Sequence, residues 1–159
     1  MADELGDKIL DTQANESESK NNQENSYRVR TISGIEVLNS EFKNLILAPF
    51  LNSLRNGNEL FRLIDKDVYY HFYSIFINRL LQRPQVTVKL AVLSDNTVLG
   101  WSMIENQTLH YVWVKKEVQR QGIAKSLIPK DIEAITHLTN KGISVWVSKY
   151  PNVKFNPFI

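Results

Sequence analysis

Leu109 to Ala124 brings together the side chains and backbone features best suited to chemistry in this chain: Leu-His-Tyr-Val-Trp-Val-Lys-Lys-Glu-Val-Gln-Arg-Gln-Gly-Ile-Ala. Thr108 to Val114 is dense in β-branched and aromatic residues and reads as a strand. A short charged turn follows, then Gln119-Arg120-Gln121-Gly122-Ile123-Ala124, then a helical pattern. Strand, glycine turn and helix start in that order make an anion site. The first N–H groups of a helix have no partners within it, and its dipole leaves partial positive charge there. Gly122 lets backbone approach a ligand with no Cβ in the way. Arg120 and Lys125 add mobile positive charge, so a pyrophosphate is the natural guest. The spacing matches neither a phosphate loop ending in Gly-Lys-Ser/Thr nor a Gly-x-Gly-x-x-Gly turn, which disfavours ATP and NAD. The plainer alternative is an ordinary strand-to-helix turn with a surface glycine.

The rest of the chain must position this stretch. Tyr27 to Ser33 (YRVRTIS) alternates and reads as a first strand ended by Gly34. Ser40 is placed to cap a helix through about Leu54, with Phe42, Leu45, Ile46, Phe50 and Leu54 on one stripe. Pro49 inside that pattern is expected to break or bend it. A second helix, capped by Asp65 or Asp67, runs to Leu81 or Gln82 and is closed by Pro84. Its aromatics Tyr69, Tyr70, Phe72, Tyr73 and Phe76 read as core, with an acceptor pocket as the alternative, and His71 reads as packed.

Three strand-like runs follow: Val86–Leu93, Val98–Glu105 and Thr108–Lys115. The short connections between them imply antiparallel hairpins. The helix after the glycine turn is expected to run from Gly122 towards Leu138, with a kink or restart at Pro129. Thr139-Asn140-Lys141-Gly142 reads as its glycine stop. Ile143–Ser148 (ISVWVS) reads as a last, buried strand, parallel to its neighbour, and Tyr150–Ile159 as an extended tail.

With 159 residues, the length predicts one domain with a substantial core. The absence of cysteine excludes disulfides, thiolate nucleophiles and cysteine metal sites. No apolar run reaches membrane-spanning length and the N-terminus lacks the form of a signal peptide, so a cytoplasmic protein with no membrane partner is expected. Residues 1–26 hold seven acids against two lysines, a net of −5, in a Glu-, Asn-, Ser- and Gln-rich stretch that reads as a disordered tail. Residues 27–159 read as the folded domain. They hold seventeen Lys/Arg against ten Asp/Glu, a net of +7, which favours anionic partners such as CoA phosphates or nucleic acid.

Gln-x-x-Gly-x-Ala behind a Val-Trp-Val strand resembles the Gln/Arg-x-x-Gly-x-Gly/Ala signature of the GCN5-related N-acetyltransferase (GNAT) family. The order of elements over about residues 27–148 resembles that family too. The resemblance implies an α+β fold in α/β/α layers: a mixed, mostly antiparallel sheet with helices on both faces. It implies acetyl-CoA as co-substrate and an amine as acceptor. The pantetheine arm would pair with the main chain of Val112 and Val114, as an added half-strand does. The pyrophosphate would lie on the turn of Gln119, Arg120, Gln121, Gly122, Ile123, Ala124 and Lys125. Asn152 would replace the family's asparagine beyond the last strand, and Tyr150 the tyrosine that protonates the leaving thiolate. The family continues with a further helix and two strands where this chain has about ten residues left, so half of the acceptor wall is expected to be missing.

Acyl transfer from a thioester needs an amine with a free lone pair, and therefore a general base. His110 is the first candidate, because an imidazole with an unperturbed pKa of about 6.5 suits that role. A histidine also stands at the corresponding place in the serotonin N-acetyltransferase branch of the family. The alternative is a half-buried strand histidine bonded to a neighbour. Glu105, ending the preceding strand, is the second candidate base, and Tyr150 the candidate general acid. No metal is expected, since His71, His110 and His137 fall in separate elements without ligand spacing. Two other readings stand beside the enzyme: a GNAT-like protein that binds CoA or a partner without turnover, and a nucleic-acid-directed, DNA-modifying member of the fold of phage type. The acceptor (small molecule, protein or nucleobase) and the oligomeric state are left open.

Overall fold

The computed structural model describes residues 26–159; all of the acidic tail except Ser26 lies outside the described residues. The chain forms six strands, β1 Arg28–Ser33, β2 Val86–Val92, β3 Val98–Glu105, β4 Thr108–Val114, β5 Ala134–Ile135 and β6 Lys154–Phe155, ordered β1 to β6 across one sheet. The first four are antiparallel, while β5 and β6 each lie parallel to the strand before. Helices are α1 Gly34–Leu38, α2 Phe42–Gly57, α3 Glu59–Leu63, α4 Lys66–Leu81, α5 Ile123–Leu127 and α6 Asn140–Lys149.

Side-chain alternation along the strands assigns the helices to two faces. Val86, Val88 and Leu90 of β2, with Trp101, Met103 and Tyr111, pack under Ile46, Phe50 and Leu54 of α2 and Tyr69, Ile77 and Leu80 of α4. Ala91, Leu99, Val112 and Val114 point the other way and meet Ile123 and Leu127 of α5. Ile104, Leu109 and Ile135 meet Trp146 and Tyr150 at α6 on that second face. The fold is thus the layered, mostly antiparallel α+β arrangement expected.

Local signals set most boundaries. Asp65 caps α4 by accepting from the N–H groups of Asp67 and Val68. Pro49 does not end α2, which continues through it from Phe42 to Gly57. Gly34 does not merely end β1. Ser33 and Glu36 form a reciprocal capping box, and the chain turns at once into α1. A Cβ on Gly34 would lie 2.2 Å from the Leu81 carbonyl oxygen at the end of α4, so α1 and α4 touch backbone to backbone. Gly34→Ala should therefore cost about 1–3 kcal/mol, a drop of about 2–12 °C in Tm measurable by thermal unfolding.

The C-terminal third departs from the sequence reading. The helix after Gly122 spans only Ile123–Leu127, because Ile128 precedes Pro129 and is held extended at φ −90°, ψ 122°. The chain then yields β5, which the sequence reading did not place. Ile143–Ser148 is not a strand but most of α6, capped by Thr139, whose Oγ1 accepts from Gly142 N–H. Gly142, expected as a stop, sits in the first turn. Leu138, Gly142, Trp146 and Tyr150 recur at fours and form the half-buried stripe, while Ile143, Val145 and Val147 are exposed. Helical period thus wins over β-branched composition. The supposed tail supplies β6. The helix and one of the strands thought missing after the last strand are therefore present.

Candidate functional site

The register of β3 against β4 shifts by one residue: Met103 faces Tyr111 and Ile104 faces Leu109, leaving His110 as the extra residue of a bulge. A bulge re-aims the side chains around it. Here it turns both His110 and Tyr111 to the α2/α4 side, while Leu109 and Val112 keep to the α5/α6 side.

His110 is fully buried. Its Nε2 lies 3.2 Å from Glu105 Oε2, and its Nδ1 lies 3.1 Å from Thr136 Oγ1. Glu105 also receives Arg83 Nη1 at 2.8 Å. On the far side, Thr136 Oγ1 lies 2.7 Å from His137 Nδ1. The rings of Phe50, Tyr73 and Phe76 pack about His137, with centroids 5.5, 6.3 and 5.3 Å away. The result is one polar chain, Arg83–Glu105–His110–Thr136–His137, threading the otherwise apolar layer between sheet and helices. Burial pushes His137 down to about 4, helped by the neighbouring His110. Burial also lowers His110, against the pull of the Glu105 carboxylate.

Both imidazoles are therefore neutral at pH 7 in the folded chain and take up protons more readily when it unfolds. Stability from His137 is complete above about pH 6.5, declines as pH falls, and is lost by about pH 4. The full loss amounts to about 3 kcal/mol. Urea titrations at pH 7 and pH 4.5 should show this loss in the wild type. They should show it much reduced in His137→Asn, whose amide can hydrogen-bond Thr136 in either direction without titrating.

The parallel pairing of β4 with β5 is short. Glu133 N–H donates to Gln107 O and Thr136 N–H to Leu109 O, and there the two strands part. Lys115 N–H donates to Leu99 O on β3. Backbone groups alternate along an antiparallel strand, so Val112 and Val114 turn theirs away from β3, into the gap. Val114 O accepts from Gln119 Nε2 at 3.1 Å, and Lys141 Nζ at the start of α6 donates to Gln119 Oε1 at 3.0 Å. Gln119 thus spans the mouth of the gap instead of standing with the turn beyond it.

In that turn Arg120 and Gly122 have φ of +68° and +82°, on either side of Gln121. Alternating backbone hands of this kind aim successive N–H groups at one point. Among the described residues, no acceptor takes the N–H groups of Gln121, Gly122, Ala124 or Lys125. A Cβ on Gly122 would meet nothing within 4 Å, so its outer side is open space. Arg120, Gln121 and Lys125 are exposed, whereas Ile123 is buried against the sheet and anchors the turn.

The remaining candidates fall elsewhere. Tyr150 ends α6 on the second face with Val112 and Leu138, across the sheet from His110. Asn152 is exposed in the turn before β6, and His71, expected to be packed, is instead exposed on the outer side of α4. Thr136, His137 and Arg83 were not singled out from the sequence as partners. The β4–β5 pairing, invisible as a short Ala134–Ile135 strand, brings Thr136 and His137 to His110, and the β2–β3 register, with Val86 opposite Glu105, brings Arg83. Among the described residues no group of three metal-ligating side chains is formed and no helix is long and apolar enough to cross a membrane.

No protein-family model and no curated protein matches this sequence. Among solved structures, the chain is similar to apo YjaB from Escherichia coli, with 13% identity over 65% of this chain and 62% of that one and a TM-score of 0.44. The matched part is thus less than two thirds of YjaB. It is also similar to a ribosomal-protein-alanine N-acetyltransferase from Brucella melitensis biovar Abortus 2308, with 14% identity over 83% and 80% of the two chains and a TM-score of 0.43. A third is an aminoglycoside acetyltransferase from an uncultured soil metagenomic sample, with 17% identity over 82% and 77% and a TM-score of 0.41. At these values the likeness carries no residue role to this chain, and its chemistry rests on the geometry of its own gap, turn and buried histidines.

Proposed function

We propose that the protein is an N-acetyltransferase that moves an acetyl group from acetyl-CoA to an amine. The observation that carries this reading is the parting of β4 from β5 beside a turn whose amides meet no acceptor among the described residues. The gap leaves Val112 and Val114 main chain free to pair with an extended amide-bearing arm, and the open N–H groups at Gln121–Lys125 suit a diphosphate. For the arm to use Val114 O, the Gln119 amide must let go, exchanging one hydrogen bond for another. Arg120 and Lys125 stand over the turn as mobile cations. A thioester bound there supplies an activated acyl group. The chain's own part is to orient the acceptor, exclude water and accept a proton from the attacking nitrogen through the buried Glu105–His110–Thr136–His137 group.

Tyr150, as general acid for the thiolate, fits this reading only by position: it lies on the Val112 side of the sheet. Calorimetry should show acetyl-CoA binding in the micromolar range, about −8 kcal/mol, and mass spectrometry should show an acetylated product from a panel of primary amines. Failure to bind acetyl-CoA would remove the reading.

A further inference from the structure

We propose that His137 is the group that touches the acceptor amine and takes its proton, and that Glu105, His110 and Thr136 hold it in the tautomer this requires. The inference rests on the acyltransferase reading above and assigns within it a catalytic residue that the sequence does not single out.

His110 cannot reach a substrate directly: its ring is fully buried and both its nitrogens are engaged. The hydrogen positions along the chain follow from what each group can donate. A carboxylate only accepts, so His110 carries its hydrogen on Nε2, facing Glu105. Neutral His110 then offers a lone pair at Nδ1. The single O–H of Thr136 fills it at 3.1 Å, in preference to the His110 carbonyl at 3.4 Å. Thr136 Oγ1 must in turn accept from His137 Nδ1 at 2.7 Å. His137 is thereby fixed with its hydrogen on Nδ1 and a bare lone pair on Nε2. Among the described residues no donor meets that Nε2, and His137, 9% exposed as a residue, directly follows the last backbone hydrogen bond between β4 and β5. The open end of the chain is a lone pair beside the point where β4 and β5 part, on a ring packed against Phe50, Tyr73 and Phe76.

The step balances simply. As the amine nitrogen gives its lone pair to the thioester carbonyl it becomes positively charged and acidic. Its N–H bond breaks and an Nε2–H bond forms on His137; the tetrahedral carbon then collapses, the C–S bond breaks with its electron pair going to sulfur, and CoA leaves as the thiolate. The imidazolium is stabilised through Thr136 and His110 by the Glu105 carboxylate, and Nε2 later releases the proton to water. The low basicity of His137 suits a proton taken from nitrogen during attack, not from a free ammonium ion.

The tautomers can be read without turnover. Two-bond ¹H–¹⁵N spectra of the full chain should show His137 protonated at Nδ1 and His110 at Nε2. Glu105→Gln can present its NH2 to His110 and should invert or mix both tautomers. Thr136→Val, which keeps shape but lacks the O–H, should lower turnover at least ~100-fold with acetyl-CoA affinity unchanged. Thr136→Ser should keep most of the activity, and His137→Asn should lose it. An Nε2–H tautomer at His137 in the wild type, or a His137→Asn or Thr136→Val enzyme within threefold of wild type, overturns the assignment while leaving the acyltransferase reading intact. A wild type that binds no acetyl-CoA overturns both.

Discussion

Gly122→Glu should weaken acetyl-CoA binding by at least ~100-fold, about 2.7 kcal/mol, without unfolding the protein. In the free chain a Cβ at this position meets no atom within 4 Å, so a side chain starts into open space. The backbone is left-handed there, at φ +82°, which costs a non-glycine residue about 1–2 kcal/mol. That strain alone lowers stability modestly. The larger effect is electrostatic. A carboxylate would stand where the unpartnered N–H groups of Gln121, Gly122, Ala124 and Lys125 face outward. Like charges about 4 Å apart near a protein surface repel by about 4 kcal/mol. Gly122→Ala separates the contributions, since it carries the strain without the charge and should cost about tenfold or less. Calorimetry with acetyl-CoA on the three proteins checks this. Equal affinity in Gly122→Glu would mean that the turn does not hold the diphosphate.

His110→Ala should reduce turnover by about 10²–10⁴ while changing acetyl-CoA affinity less than threefold. The affinity is spared because His110 faces α2 and α4, whereas the gap backbone and the turn lie along the other edge of β4. Turnover falls because the link between Glu105 and Thr136 is cut. Thr136 is then free to donate to His137, whose Nε2 is no longer kept bare. The variant also removes one of the two side-chain partners of a buried hydroxyl and of a partly buried carboxylate, costing about 1–3 kcal/mol. A fall in turnover must therefore be read at a temperature where circular dichroism shows the variant folded. Single-turnover rates and calorimetry separate the two effects. Unchanged turnover would place the base outside this chain of groups.

Much of the fold was legible because its signals are local. Capping by Asp65, the packing of Tyr69, Tyr70, Tyr73 and Phe76 on α4 and the three hairpin strands each follow from residues close in sequence, whereas Phe72, read as core with them, is exposed. The C-terminal third was not, for a physical reason in each case. Ala134–Ile135 is too short to show a period and is a strand only because β4 and β6 flank it. Ile143–Ser148 has the composition of a strand. Its helix depends on the Thr139 cap and on Trp146, whose Nε1 donates to Val153 O, finding a seat beside β6. At the site, the Gln119–Lys125 turn and the Val112–Val114 main chain could be named from spacing. Gln119 could not be known to bridge Val114 and Lys141.

By itself the sequence determined a glycine where the chain must turn left-handed, cations around it, a histidine on the strand before it, and an aromatic helix to cover that strand. These properties belong to single residues or to neighbours a turn apart. Tertiary structure decided which way His110 points and what it touches. A one-residue shift between β3 and β4 puts its ring on the same face as that of Tyr111, a pair that simple alternation would separate. A two-residue pairing with β5 then brings Thr136 and His137 within hydrogen-bond reach across 26 positions of chain. Both depend on register between strands, which is fixed by the packing of whole faces against helices and not by any residue's own preference.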